Sequence, residues 1–314
     1  MDVVTFGETM VLFAAAEQGP LRFASTYTRH AAGTESNFAI GLARLGHRVG
    51  WFSRVGDDEF GQYIVNTVRG EGVDTSRVIV DGEAPTGVLF KEKRELGPRK
   101  ILYYRRGSAA SRLTPGDLDG DYIASARYLH LTGITPALSQ SARATVFAAA
   151  ELARARGVSV SFDPNLRLRL WSREQARETM RALLPLCDLV LPGLDEAELL
   201  VDEPDPDRAA DAIRALGPST VVVKLGPSGA LAVAPEGRVR APGVRLERIV
   251  DPVGAGDGFA AGFVSGRLRG LDLLESLKIA NTVGAFATTV VGDVEGLPTW
   301  REVQELRLDL DVAR

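Results

Sequence analysis

Lysine is scarce in this 314-residue chain, with five residues against 32 arginines. None of the five follows a glycine, so a G-x-x-x-x-G-K-S/T phosphate loop is excluded. Cysteine occurs once, as Cys187, which leaves no internal disulfide and points to a reducing, cytoplasmic setting. The three histidines, His30, His47 and His130, lack metal-ligand spacing. Long apolar runs are missing as well: stretches such as Met10 to Ala16 fall far short of the ~18 residues that span a bilayer. The opening residues Met1 to Gly7 carry neither a basic n-region nor a cleavage site and do not read as a signal peptide. Neither sign of charge dominates, since 37 Lys+Arg against 41 Asp+Glu leaves −4. Without a basic face there is no electrostatic footprint for nucleic acid. Membrane and nucleic acid are thereby set aside as partners.

What is present is an ordinary globular balance, 45% hydrophobic and 25% charged, which argues against disorder. The length suffices for a sizeable core in one large α/β unit or in two domains. Short apolar runs alternate with amphipathic stretches. Strands are expected at Val3–Phe6, Arg48–Ser53, Arg127–Leu131, Val158–Phe162, Asp188–Leu191 and Thr220–Leu225. Helices are expected at Glu35–Leu45, ended by Gly46, and at Asp58–Gly70, Ser139–Arg156, Arg173–Leu184, Asp195–Val201, Asp207–Leu216, Ala255–Arg269 and Leu273–Val291. Such alternation implies a parallel sheet covered on both faces, with ligands beyond the carboxyl ends of its strands. Two segments break the rhythm. Val11–His30 and Thr86–Arg105 are β-branched and aromatic, the second reading as a hairpin around Gly97-Pro98, and together they predict a small projecting sheet.

The most informative stretch runs Asp251-Pro252-Val253-Gly254-Ala255-Gly256-Asp257-Gly258-Phe259. A glycine-rich turn enters a helix there, and free N–H groups at the positive end of a helix dipole form an anion site. Gly254 and Gly256 let a phosphate approach the backbone. A carboxylate in that first turn makes sense if Asp257 takes a proton from a hydroxyl while the N–H groups hold a transferring phosphoryl group. A bare G-x-G-D would more simply be a helix start stabilised by an aspartate.

With these residues the chain resembles the ribokinase-like (PfkB) carbohydrate kinases, whose closing signature is D-x-x-G-A-G-D-x-F. A second family signature is legible in Ala32-Gly33-Thr34-Glu35-Ser36-Asn37 through Gly46, followed by Val55-Gly56-Asp57-Asp58-Glu59-Phe60-Gly61. The resemblance covers Gly7 to Gly296. It implies an α/β fold: a three-layer α/β/α sandwich with a mainly parallel central sheet and a small β-sheet lid. The nucleotide-binding body would comprise 1–10, 31–85 and 107–314, and the lid over the sugar 11–30 and 86–106. Asp257 would be the base, with Gly254, Ala255 and Gly256 forming the anion hole. Lys224, Gly226 and Gly229 match the family's nucleotide turn, and Asn281 a nucleotide-side polar position. Taken alone, Gly226 to Gly229 would be a hairpin turn. ATP and Mg²⁺ are implied, with a monovalent cation left open. A homo-oligomer through the lid is also implied, since pairing would hide its edge strands.

Gly33 and Asn37 match positions that contact sugar hydroxyls. The stretches Tyr103 to Ala109 and Asp163 to Trp171 resemble the branch of the family that phosphorylates 2-keto-3-deoxygluconate. Arg105 and Arg167 are then assigned as clamps on its carboxylate or keto group, and Tyr103 as a hydroxyl partner. A planar guanidinium suits a carboxylate, and a neutral sugar gives less reason for two to converge. Three positions depart from the pattern: Gly193 stands where the family has Asn, Leu89 where a tyrosine is usual, and Thr34 where a small apolar residue is common. Glu196, the magnesium-side carboxylate acting through water, is present, with a helix-surface carboxylate as the plainer alternative.

Other polar residues receive structural readings. Trp171 is packing, His130 a core histidine, Cys187 a small core hydrophobe, and Asp163, at a strand end, either senses magnesium or, the preferred reading, caps its loop. Arg106 and Arg169 are solvated surface residues. Three rival functions remain: a kinase for a neutral sugar such as fructose or ribose, a Rossmann oxidoreductase, and a catalytically silent sugar-binding regulator. The oxidoreductase predicts G-x-G-x-x-G after the first strand, where Phe6-Gly7-Glu8-Thr9-Met10 has a single glycine. The intact Gly254–Asp257 set argues against the regulator.

Overall fold

The computed structural model describes residues 1–94 and 100–312. In chain order, β1 (Val3–Phe6) is followed by β2 (Met10–Gln18), β3 (Tyr27–Ala32), α1 (Thr34–Arg44), β4 (Val49–Phe52), β5 (Arg54–Gly56), α2 (Glu59–Gly70) and β6 (Ile79–Asp81). Then come β7 (Val88–Lys93), β8 (Ile101–Tyr104), α3 (Gly120–Ala124), β9 (Tyr128–Thr132), α4 (Thr135–Leu138), α5 (Gln140–Ala155), β10 (Ser159–Asp163) and α6 (Arg173–Leu183). The rest comprises β11 (Leu189–Val190), α7 (Leu194–Val201), α8 (Pro206–Arg214), β12 (Thr220–Lys224), β13 (Ala230–Ala234), β14 (Gly237–Ala241), α9 (Ala255–Leu268), α10 (Leu273–Ala287) and α11 (Trp300–Val312).

The main sheet has eight strands in the order β14-β13-β12-β11-β10-β9-β1-β4. From β4 to β12 the pairings are parallel, while β13 and β14 add an antiparallel edge. Neighbouring residues of a strand point to opposite faces, and both faces are covered. Val3 and Val222 pack with Phe38, Leu42 and Phe263 on the side of α1, α9 and α10. Val4, Val221 and Val223 pack with Val146, Met180 and Leu200 on the side of α5, α6 and α7. Burial on both sides is why these strands read as continuous apolar runs. Gly262 permits the close crossing of α9 and α10, because a Cβ there would lie 2.8 Å from Ala280 Cα.

Helix starts follow capping chemistry. Asp58 accepts the Gly61 N–H at 2.7 Å, Ser139 the Ala142 N–H at 3.0 Å, and Ser172 with Gln175 closes a capping box. Helix α10 ends at Ala287, four residues before the expected Val291. The physical reason lies in Thr288: its hydroxyl turns back on Ala285 O, and its carbonyl accepts the N–H groups of Val250 and Asp251. The backbone leaves the helix to hold the loop before α9. Strands β13 and β14, the short β5–β6 pair and α11 carry no expectation from sequence.

The second sheet is four-stranded, order β3-β2-β7-β8, with β2 and β7 parallel and the outer pairs antiparallel. It joins the two segments that broke the α/β rhythm; the turn expected at Gly97-Pro98 lies outside the described residues. On its outer face Phe13 stacks on Phe90 at 5.2 Å, and Tyr27 and Tyr104 meet Phe90 edge-on.

Candidate active site

The chain enters the sheet at β1, crosses to β4 on one side and to β9 on the other. Ligands of open α/β sheets gather at such a reversal, outside the carboxyl ends of the strands. A cleft of about 1440 Å³ opens there. Glu8 follows β1, Ile134 follows β9, Asn165 follows β10, Gly193 follows β11 and Leu225 follows β12, and all five line it. The small sheet closes the opposite wall with Met10, Leu12, Leu89 and Tyr103.

Asp257, in the first turn of α9, is 8% exposed. Asn37 Nδ2 donates to its Oδ2 at 2.8 Å, Asn165 Nδ2 to its Oδ1 at 3.2 Å, and the Thr34 hydroxyl also donates to Oδ1. Burial raises its pKa, opposed by Thr34, Asn37 and the charges of Arg167 and Lys224. The result is an oriented carboxylate with improved basicity. Ahead of it, Gly254 is left-handed at φ +80°, and a Cβ there would stand 2.4 Å from Asp293 O. At Gly256 the nearest atom to a Cβ is Lys224 Nζ, at 3.7 Å. The Ala255 N–H donates to Pro252 O at 3.4 Å; the other amides of this helix N-terminus, beside an ammonium, suit a polyphosphate.

Lys224 Nζ pairs with Asp163 Oδ2 at 2.7 Å. Burial opposes its charge, but Asp163, Glu196 and Asp257 outweigh that and raise its pKa. Burial pushes Asp163 up to about 6, and the Lys224 ammonium beside it draws it back down. Asp163 does cap its loop, accepting the Asn165 N–H at 3.2 Å. The ion pair is the added feature. Glu196 accepts the Leu166 N–H on Oε1 and the Gly193 N–H on Oε2, both at 2.7 Å. It thus caps α7 and steadies the β10 loop, and a carboxylate retains further lone pairs for water. Gly193 has φ −70° and ordinary space around its Cβ position, so the conformation there does not require glycine.

On the lid side, Arg105 pairs with Glu8, which also accepts the Ser108 hydroxyl. Arg105 Nε is buried without a protein hydrogen-bond partner among the described residues. Its guanidinium lies 5.9 Å from the Tyr103 ring. Gly33 is forced by close approach, since a Cβ would sit 2.5 Å from Glu8 O. Arg167 and Arg169 are exposed at the rim, and Arg169 donates to Ile101 O of β8 at 3.0 Å. Arg106 and Arg169 both line the cleft, so the surface they occupy is the mouth of the site.

Gly226 lines the cleft in the turn joining β12 to β13, so the hairpin and the site position coincide. Gly229, Ala255 and Asn281 lie outside the lining. Gly229, at φ +97°, packs where a Cβ would be 2.0 Å from Ala241 O. The Asn281 amide donates to Ala241 O and Pro242 O. His130 stacks on Phe38 at 3.7 Å and hydrogen-bonds Ser161, and Cys187 and Trp171 are buried, all as core residues. Glu8, Lys91, Asn165 and Asp293 were not singled out as cleft residues, and Thr34 was noted only as a departure. For Glu8 and Asn165 the one local signal is polarity just past a strand end; Lys91, inside β7, and Asp293, beyond α10, carry none.

A model of the pfkB family carbohydrate kinases matches residues 1–300, and the chain belongs to that family. Among its relatives is the 2-dehydro-3-deoxygluconokinase of Bacillus subtilis (strain 168), 44% identical over 301 residues, 95% of this chain and 93% of that protein. The 2-dehydro-3-deoxygluconokinase of Thermoproteus tenax is 39% identical over 312 residues, covering 98% and 94%. A putative ribokinase II from E. coli, solved in complex with ATP and Mg²⁺, superposes with a TM-score of 0.91 at 27% identity, over 98% of this chain and 99% of that one.

Glu35, fully buried behind this site, receives the hydroxyls of Thr132 and Thr135 on Oε1, at 2.6 and 2.7 Å, while its Oε2 has no hydrogen-bond partner among the described residues. Burial pushes its pKa up to about 7, with the charge of Asp257 adding and the two hydroxyls opposing. An acid raised on folding holds its proton longer than the unfolded chain does, so its contribution to stability falls as pH rises from about 4.5 to 7. Glu35→Gln should therefore gain stability relative to the parent across that window, by up to about 3 kcal/mol. Denaturant midpoints at pH 5 and pH 8 check this, and a pH-independent difference would refute it.

Proposed function

We propose that this kinase transfers the γ-phosphoryl group of ATP to the primary hydroxyl of 2-keto-3-deoxygluconate (2-dehydro-3-deoxygluconate). The observation that carries the reading is the pairing, in one cleft, of a buried carboxylate at a glycine-rich helix start with the guanidinium groups of Arg105 and Arg167. The names of the relatives at 44% and 39% identity support the same substrate. In this reading residues 1–10, 31–85 and 107–314 form the nucleotide-binding body, and 11–30 and 86–106 the lid. A buried, unpaired Cys187 fits a cytoplasmic setting.

Arg167 and the unpartnered Nε of Arg105 take the sugar's carboxylate or keto oxygen, Tyr103 a hydroxyl, and Gly33 and Asn37 the hydroxyls near the base. Asp257 removes the proton of the primary hydroxyl as that oxygen attacks the γ-phosphorus. The bond to the bridging oxygen breaks, ADP leaves, and the proton rests on Asp257. The amides of Gly254, Gly256 and Asp257 receive the developing negative charge, with Lys224 beside them; the Ala255 N–H is held by Pro252 O instead. Lys224, Gly226 and Gly229 shape the nucleotide end; Asn281 acts behind it, by holding Ala241 and Pro242. Glu196 would hold Mg²⁺ through water, and the ion supplies charge neutralisation on the phosphates. Positioning and electrostatics carry most of the rate.

The same lid supports a homo-oligomer. Its outer face carries Leu102 at 46% and Tyr104 at 63% exposure around the Phe13–Phe90 stack, an apolar patch that a second copy would cover. Sedimentation should show an assembly that Tyr104→Asp shifts to monomer; a monomeric parent chain refutes this part.

Asp257→Asn keeps the hydrogen-bonding shape but removes the base. Its kcat should fall by about 10²–10⁴-fold with nucleotide affinity retained, and near-normal turnover would exclude the mechanism. A panel of acidic and neutral sugars with ATP and Mg²⁺ tests the substrate. 2-Keto-3-deoxygluconate should exceed fructose and ribose in kcat/KM, and Arg167→Ala should raise KM for the acid at least tenfold while leaving the neutral sugars alone. Preference for fructose or ribose would replace the acid with a neutral sugar.

A further inference from the structure

One side chain of the small sheet crosses the cleft. Lys91, on β7, lies beside Leu89 in the wall facing the sugar side, yet its Nζ reaches Asp251 Oδ2 at 2.5 Å. Asp251 opens the loop that ends in Gly254 and Asp257. Lys91 is 9% and Asp251 1% exposed by side chain, so the pair is shielded from water. The same ammonium faces the carboxyl of Asp293, whose pKa burial pushes up and Lys91 draws down. Asp293 in turn offers the carbonyl against which Gly254 packs. A second tie lies nearby: His30 Nδ1, on β3, contacts Glu295 Oε1 at 2.5 Å, and Glu295 Oε2 accepts the Val294 N–H. Two strands of the lid thus hold the two loops that shape the phosphate cradle.

We propose that Lys91 is a positioning residue, which couples closure of the lid over the sugar to assembly of the Gly254–Asp257 phosphate cradle. Lifting the lid draws the ammonium away from a carboxylate buried beside Asp293, and breaking a buried ion pair from one side is unfavourable. The cradle therefore takes its working form when the lid is down, and the lid is held down when the cradle is formed. Coupling of this kind is reciprocal: sugar tightens nucleotide by the factor with which nucleotide tightens sugar. The inference rests on the reading of the cleft as a sugar site beside a nucleotide site.

The test measures the affinity of a non-hydrolysable ATP analogue with Mg²⁺, with and without saturating sugar. In the parent enzyme sugar should tighten the analogue about tenfold or more, within the usual range of such coupling. In Lys91→Met the ratio should collapse to below about threefold and kcat should fall, while sugar KM moves little; Lys91→Arg should restore much of the ratio. A folded Lys91→Met enzyme with a lower melting temperature and an intact ratio would make the lysine merely structural and overturn the proposal. Hydrogen exchange on the unmutated enzyme decides independently of any variant. Sugar alone should slow exchange across residues 251–257, and no change there also overturns it. If the acid sugar is not phosphorylated, the substrate reading fails; the coupling is then measured with whichever sugar is.

Discussion

A carboxylate that is buried and charged needs hydrogen-bond donors, and the rest of this active site is arranged around meeting that need for Asp257. Its donors come from far along the chain: Thr34 and Asn37 lie 223 and 220 residues away, and Asn165 lies 92 away. The start of α1, the loop after β10 and the start of α9 must therefore meet at one point. Gly33 allows it, because any side chain there would drive α1 off the backbone of Glu8. The Asp257 carboxylate is oriented by the same contacts that fix three elements of the sandwich.

The ring of charge around that point has a consistent logic. Lys224 and Asp163 neutralise one another beside Gly256, Lys91 and Asp251 between the small sheet and the loop before α9, and Arg105 and Glu8 between the small sheet and the end of β1. Each pair joins different elements, so the cleft is held in shape by ion pairs spanning its walls. Charges shielded from water are favourable only when paired, so each junction depends on both of its elements being in place. Arg167 and Arg169 stand outside this ring, at the mouth, where exposure leaves a guanidinium available to an incoming acid.

Much of this was legible before any coordinates. The alternation of apolar runs and amphipathic stretches defined the parallel sheet and its covering helices, and the breaks in rhythm marked the small sheet. Asp257, Gly254, Gly256 and Gly33 were recognisable because their chemistry is local: a glycine-rich turn followed by a helix is written in consecutive residues. Asn281 shows the limit. It sits at a matching position, yet its amide is spent on Ala241 and Pro242, carbonyls 40 and 39 residues away. Glu196 is similar, since the capping role that the structure displays and the magnesium-side role both follow from one carboxylate at the start of α7.

The sequence by itself determined the period of each element, the glycine-rich turn at α9 and the acid within it, because these depend on neighbours a few residues apart. It also determined the scarcity of lysine that turned attention from one kind of phosphate loop to another. Lys224 is marked by its place in a glycine-rich turn, whereas nothing local marks Lys91, and only the tertiary structure decided the partners of both. Lys91 lies 160 residues from Asp251 and Lys224 61 from Asp163, and no local pattern carries such separations. Partnership across that distance is set by which strand ends the fold brings to one cleft, and by the cost of leaving a buried charge alone.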